Sequence, residues 1–247
     1  MAYLFIDFDE TLSDSFVLRT QYVREVGALL AQSYGKTEDE WAKVTVDLLV
    51  ALERDYVARF VGNPLAGYSN WLDAARQTSA ERLFAALDQP VPDNAIQIVK
   101  ETQFNALTAC DAAFPGAYEA LDALFQADVR VQMASGNESE YLLAALIGAG
   151  IESFTESKFG PDLVNCAKEG PEFYLKIFEA MSIAPSDALV VDDQPEALQW
   201  AMTAGAKTIQ ARISTELHFP DVPGVSALMT DLRQLPELAK KILDIRY

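Results

Sequence analysis

The sequence predicts an α/β protein: a doubly wound parallel-sheet core with an all-helical domain inserted into it. Two observations carry this. Short apolar runs alternate with amphipathic helical patterns over 1–12 and 112–247, the signature of a parallel sheet covered on both faces. Between them, 14–110 holds four helix-like stretches and no strand run, which is too long for a loop. The expected division is therefore 1–13 with 111–247 as the core, and 14–110 as a helical domain. A chain of 247 residues suffices for both.

Residues 2–6 give the first strand, apolar enough to be buried on both faces. Val129, Val131 and Met133 alternate with Arg130 and Gln132 to give the second. Residues 188–191 are the third strand, 206–209 the fourth and 225–228 the fifth. Helical patterns lie between them. Residues 117–126 follow a Pro115-Gly116 start signal and put Leu121, Leu124 and Phe125 on one face. Residues 138–148 end at Gly148 and Gly150, and 171–181 and 195–204 each open on a proline. In the insertion, helices are expected near 15–33, 38–60, 69–88 and 93–109, with breaks at Gly35-Lys36, Gly62-Asn63-Pro64 and Pro90-Val91-Pro92. Tyr22, Trp41, Tyr56, Tyr68 and Trp71 recur at helical spacings and read mainly as packing. Arg19 and Tyr22, on the first inserted helix, could reach a substrate.

Composition narrows the function. Against 37 acidic side chains stand 19 basic ones, a formal net charge of −18, so a surface built to neutralise nucleic acid is not expected. Half of the residues are hydrophobic and 23% are charged, the balance of a globular rather than a disordered chain. No apolar run is long enough to span a bilayer, and the first residues lack a secretory pattern, so no membrane partner and a cytoplasmic location are expected. Cys110 and Cys166 have no CxxC partner and read as free thiols of a reducing compartment. Nothing in the sequence sets the oligomeric state.

In open α/β sheets, ligands bind beyond the carboxyl ends of the strands, so the polar residues there are informative. The first strand ends in Asp7-Phe8-Asp9-Glu10-Thr11, the second in Ser135-Gly136-Asn137 and the third in Asp192-Asp193, with Lys168 preceding the helix into the third. Carboxylates gathered at one edge repel each other unless a cation joins them. An oxygen-only donor set favours Mg²⁺, and a zinc site is improbable because His218, read as a surface or turn residue, is the one histidine. Lys168 and the metal would offset a bound phosphate, while Ser135 and the N–H groups of Gly136 and Asn137 would contact its oxygens. Lys158, the nearest rival lysine, reads as a solvated surface residue. A carboxylate can attack phosphorus if an acid protonates the leaving alcohol and a base later activates water, and the crowded Asp7 and Asp9 suit that pairing.

These residues resemble the haloacid dehalogenase-like (HAD) superfamily of phosphohydrolases, which have a Rossmann-like core. Asp7-Phe8-Asp9-Glu10-Thr11-Leu12-Ser13-Asp14-Ser15 resembles its first motif, DxDxTLxDS after an apolar strand. Ser135 matches the second motif, Lys168 with Pro171 the third, and Val190-Val191-Asp192-Asp193 the fourth in its double-aspartate form. The resemblance spans nearly all of the chain outside the insertion. It implies Asp7 as nucleophile and Asp9 as general acid/base. It implies Mg²⁺ held by Asp7, the backbone carbonyl of Asp9 and Asp193, with Asp192 direct or through water. Ser135 and Lys168 would hold the transferring phosphoryl group, and 14–110 would be the helical C1 cap closing over a small phosphorylated metabolite. Dehalogenases resembling this fold lack an aspartate at the second acidic position, so Asp9 points to phosphoryl transfer.

The chain departs from the family pattern at Glu10, where glycine is commoner, at Glu169-Gly170 after the lysine, and at Ala197, where many members carry a further acid. The leading expectation is a Mg²⁺-dependent phosphatase working through an aspartyl phosphate. A phosphomutase resembling β-phosphoglucomutase, which returns the phosphoryl group to a sugar, is the alternative. A receiver-like signalling module is disfavoured because its phosphorylated aspartate follows its acidic pair. An idle interaction protein is disfavoured by the complete catalytic set.

Overall fold

The computed structural model describes residues 3–215, 217 and 219–244. Six parallel strands form one sheet: β1 (Tyr3–Ile6), β2 (Arg130–Ala134), β3 (Thr155–Phe159), β4 (Ala188–Asp192), β5 (Lys207–Ala211) and β6 (Ala227–Met229). Their order, β3-β2-β1-β4-β5-β6, runs outward in both directions from β1, so the sheet is doubly wound. Four strands lie where the apolar runs put them to within two residues, and β6 is shorter than 225–228. Ala2, at the start of the expected first strand, lies outside the described residues, as does His218.

β3 is the strand that the hydrophobic pattern does not show. Its residues, Thr155-Glu156-Ser157-Lys158-Phe159, are mostly polar because it is an edge strand. Phe159 packs into the core, and a buried glutamine adds polar pairing: Gln132 of β2 donates to Glu156 at 2.7 Å and accepts from the Ser157 N–H at 2.9 Å. Lys158 is not solvated as expected; its side chain is 14% exposed and its ammonium bonds Glu152 at 2.7 Å.

Alternate residues of β1 feed opposite cores, as period-two geometry requires. Leu4 and Ile6 pack with Leu121 and Leu124 of α5 (Ala117–Gln126), Leu142 and Leu146 of α6 (Ser139–Gly148), and Ala239 of the C-terminal helix. Phe5 points the other way, onto Phe173, Ile177 and Phe178 of the helix Pro171–Met181 and Ala201 of the helix Pro195–Thr203. Both cysteines are buried and free. Among the described residues no helix is long and apolar enough to cross a membrane.

The insertion consists of α1 (Ser15–Tyr34), α2 (Glu38–Phe60), α3 (Tyr68–Ala85) and α4 (Ala95–Thr108). Asp14 caps α1 by accepting from the Val17 N–H, and Thr37 with Glu40 forms a capping box on α2. These helices have a core of their own around Val26, Leu30, Trp41 and Phe84. The two connections to the sheet run side by side: the Asp14 N–H donates to the Ala112 carbonyl, and the Phe114 N–H to the Leu12 carbonyl. A second seam lies at the far side, where Ser69 donates to Asn165 and the Ala167 N–H to the Pro64 carbonyl.

Candidate active site

β1 and β4 end together, and this sets the acidic cluster. The Asp7 N–H donates to the Val191 carbonyl at 2.9 Å, carrying the pairing one residue past the strand and putting Asp7 beside Asp192 and Asp193. Carboxylate oxygens of Asp7, Asp192 and Asp193 lie within 4.8 Å of one another, all buried. Lys168 enters between two of them, with its Nζ 2.8 Å from Asp7 Oδ1 and 2.7 Å from Asp192 Oδ2. One ammonium faces three carboxylates. Burial, reinforced by Asp192 and Asp7, pushes the Asp193 carboxyl up to about 8, and burial pushes Asp192 up against the pull of Lys168. Burial also opposes the Lys168 charge, but Asp192 and Asp7 outweigh it and hold the ammonium well above its usual range. A compact, oxygen-only, charge-deficient set of this kind fits a hard divalent cation such as Mg²⁺.

Asp192 is the most committed of the three. Its oxygens accept from Lys168, from the Tyr174 hydroxyl at 3.4 Å and from the Gln194 N–H at 3.0 Å. Asp193 accepts from the Thr11 hydroxyl at 3.5 Å and from its own backbone N–H.

Asp9 stands apart from this trio. Its carboxylate accepts from the Asn137 side-chain amide at 2.7 Å. Burial and the nearby Asp7 push its carboxyl up to about 6, while the bond from Asn137 pulls the other way. The side chain of Asn137 is therefore spent on Asp9. Its backbone N–H lies 3.4 Å from Ser135 Oγ and donates to it, which leaves the hydroxyl hydrogen of Ser135 available. The segment 135–137 precedes α6 rather than forming its first turn, because Glu138 occupies the N-cap position.

Glu10 accounts for one departure from the family pattern. Its φ is +53°, the left-handed region where a glycine is free of strain. Its carboxylate accepts from both the backbone N–H and the hydroxyl of Ser15 at the start of α1, an anchor that glycine would lack. Ala197, the other departure on the helical side, is fully buried.

A cavity of about 550 Å³ lies above this floor. The core contributes Asp7, Asp9, Ser135 and Lys168; the inserted helices contribute Arg19, Tyr22, Glu53 and Tyr56. Arg19 and Tyr22 thus reach the site, and so does Tyr56, which also packs on Phe60 and Trp71 as expected. Trp41, Tyr68 and Trp71 pack in aromatic clusters as expected. Glu169, after the lysine, lines the same cavity.

Two features had no sequence signal. Glu138, next to Asn137, does not cap α6 with its side chain; its carboxylate lies 2.6 Å from Arg76 of α3. Gly160, just after β3, backs the Asn137 segment: a Cβ there would sit 2.2 Å from the Asn137 carbonyl oxygen. Gly160→Ala is therefore expected to displace this backbone. Stability should fall by about 1–3 kcal/mol in denaturant titration, with a loss of turnover beyond what unfolding explains.

Comparisons with known proteins identify the family and the fold. The family model for haloacid dehalogenase-like hydrolases matches residues 1–205. No curated protein matches the sequence. Among solved structures, the chain is similar to an L-2-haloacid dehalogenase of Xanthobacter autotrophicus with chloropropionic acid covalently bound (16% identity, 97% of this chain and 98% of that one, TM-score 0.61). It is also similar to a defluorinating L-2-haloacid dehalogenase (17% identity, 97% and 95%, TM-score 0.65). A third likeness is to YfnB of Bacillus subtilis, described as a HAD-hydrolase bound to magnesium (18% identity, 99% and 100%, TM-score 0.59). At these identities the structures attest the shared fold, and the family model attests the membership: the chain belongs to the haloacid dehalogenase-like hydrolase family.

Proposed function

We propose that this hydrolase is a Mg²⁺-dependent phosphatase acting on a small phosphorylated metabolite. The observation that carries the reading is Asp9, an acid held by Asn137 beside Asp7 over a three-carboxylate cluster. Halide leaves carbon without a proton, so displacement of halide has no use for such an acid, nor for a clustered cation site. Displacement of an alcohol from phosphorus is speeded by both.

In this reading a carboxylate oxygen of Asp7 attacks phosphorus as the P–O bond to the alcohol breaks, and Asp9 gives the leaving oxygen its proton. Asp9, now ionised, takes a proton from water, and that water attacks phosphorus to release phosphate and free Asp7. Lys168 spends two of its three N–H donors on Asp7 and Asp192, and the third is free for a phosphoryl oxygen. Ser135 donates its hydroxyl hydrogen, with the Gly136 N–H beside it. Mg²⁺ held by Asp7, Asp193 and the Asp9 carbonyl, with Asp192 behind, would neutralise phosphoryl charge. Arg19, Tyr22, Glu53 and Tyr56 face the leaving group from above and would select it.

The test is release of phosphate from a panel of phosphomonoesters and of halide from 2-haloacids, each with Mg²⁺ and with EDTA. Mg²⁺-dependent phosphate release without halide release is expected. Metal-independent halide release would replace this reading with a dehalogenase. Label moving from one sugar phosphate to another would replace it with a mutase.

A further inference from the structure

Arg76 is an inserted residue tied to the segment that holds the acid, although it lies outside the cavity of the reacting atoms. It projects from α3, and its guanidinium lies 2.6 Å from Glu138 and 3.5 Å from Glu140. The Arg76 and Glu138 side chains are only 27% and 22% exposed. A pair this shielded holds its geometry better than a surface pair. Glu138 has given up the capping bond open to an acidic N-cap residue, so its carboxylate is spent on the cap. Its neighbour in the chain is Asn137, whose side-chain amide holds Asp9 at 2.7 Å. The route from the cap to Asp9 thus runs through the Arg76–Glu138 ion pair, the peptide backbone from Glu138 to Asn137, and the Asn137 amide.

Among the described residues, the cap's ion pair to the core from α4 has no such path. Lys100 of α4 meets Glu140 at 2.9 Å, on a carboxylate that is 56% exposed and lies inside α6, past the segment that holds Asp9.

We propose that Arg76 is a positioning residue: docking of the cap through Arg76 and Glu138 fixes the Asn137 segment, and thereby orients Asp9 toward the leaving oxygen. This rests on the phosphatase reading above. It means that the acid is set for proton transfer only when the cap is seated. A cap that merely covered the site would instead help every substrate equally.

Leaving groups separate these cases. An alkyl phosphate needs its leaving oxygen protonated, whereas a nitrophenyl phosphate departs as a stable phenolate and hardly does. The quantity to compare is kcat/KM, which reports the steps through formation of the aspartyl phosphate. Wild type, Asp9→Asn, Arg76→Ala, Arg76→Lys and Lys100→Ala would be measured on both esters with Mg²⁺, each checked for folding by thermal melting. Expected for Arg76→Ala is a fall of about 10²-fold on the alkyl ester, in the range of general acid catalysis, and less than about 3-fold on the aryl ester. Arg76→Lys should recover most of the loss. Lys100→Ala should change both esters by similar, small factors. If Asp9→Asn discriminates between the esters and Arg76→Ala does not, the coupling is wrong and the phosphatase reading stands. If Asp9→Asn itself fails to discriminate, the assignment of the acid falls, and this proposal falls with it.

Discussion

Asp7→Asn is expected to lower turnover by about 10⁴-fold or more, since the loss of a nucleophile removes most of the catalytic acceleration. An amide at this position cannot form the mixed anhydride with phosphorus. The fold should tolerate the change. Asn keeps the backbone bond of residue 7 to the Val191 carbonyl, and it relieves repulsion with Asp192 and Asp193. Lys168 retains Asp192 as a charged partner. The melting temperature should therefore hold or rise while activity disappears, which separates a chemical defect from a folding one. Acid quenching of wild type during turnover should leave a phosphoryl adduct on the peptide containing Asp7, and the variant should show none. Undiminished turnover in Asp7→Asn would end the nucleophile assignment.

Most of the floor of this site was legible because its chemistry is local to strand ends. Asp7, Ser135 and the Asp192-Asp193 pair each follow an apolar strand that periodicity reveals, and parallel strands deliver their carboxyl ends to one edge. Lys168 was placed by its spacing from Pro171, and it does bridge Asp7 and Asp192. What escaped was held by contacts distant in sequence or by polar pairing. β3 buries Phe159 but is otherwise polar and paired to Gln132, so no apolar alternation betrays it. The sequence points to the Asn137 backbone as a phosphate contact but carries no sign that its side chain serves Asp9. Tyr56 carries the same helical spacing as Trp41, but one faces the cavity and the other the cap core. Spacing along a helix reports which residues share a face and says nothing about what that face meets.

The largest conditional effect expected is on stability, through the same cluster. Between the ordinary carboxyl value near 4 and the folded values of about 6 for Asp9 and about 8 for Asp193, the native state holds protons that the unfolded state has released. Stability rises with pH only where the unfolded state binds more protons, so here it falls as pH rises. Without metal, the melting temperature should therefore decline from pH 5 to pH 8, as these carboxyls are forced to ionise in a buried site. Mg²⁺ binds the ionised form and should reverse the trend, so the increment it adds must grow with pH. At this chain length each kcal/mol is worth about 2–4 °C, and a shift of about 5 °C or more at pH 8 is expected, shrinking toward pH 5. Asp193→Asn removes the carboxyl that burial pushes up to about 8; it should raise the metal-free melting temperature at pH 8 and flatten its pH dependence. It should also blunt the response to Mg²⁺, because the same residue is then missing from the ligand set. Thermal melts of both proteins in EDTA and in Mg²⁺ across this range would decide the matter. A Mg²⁺ increment that is absent, or equal at pH 5 and pH 8, would mean that the three aspartates do not form the cation site.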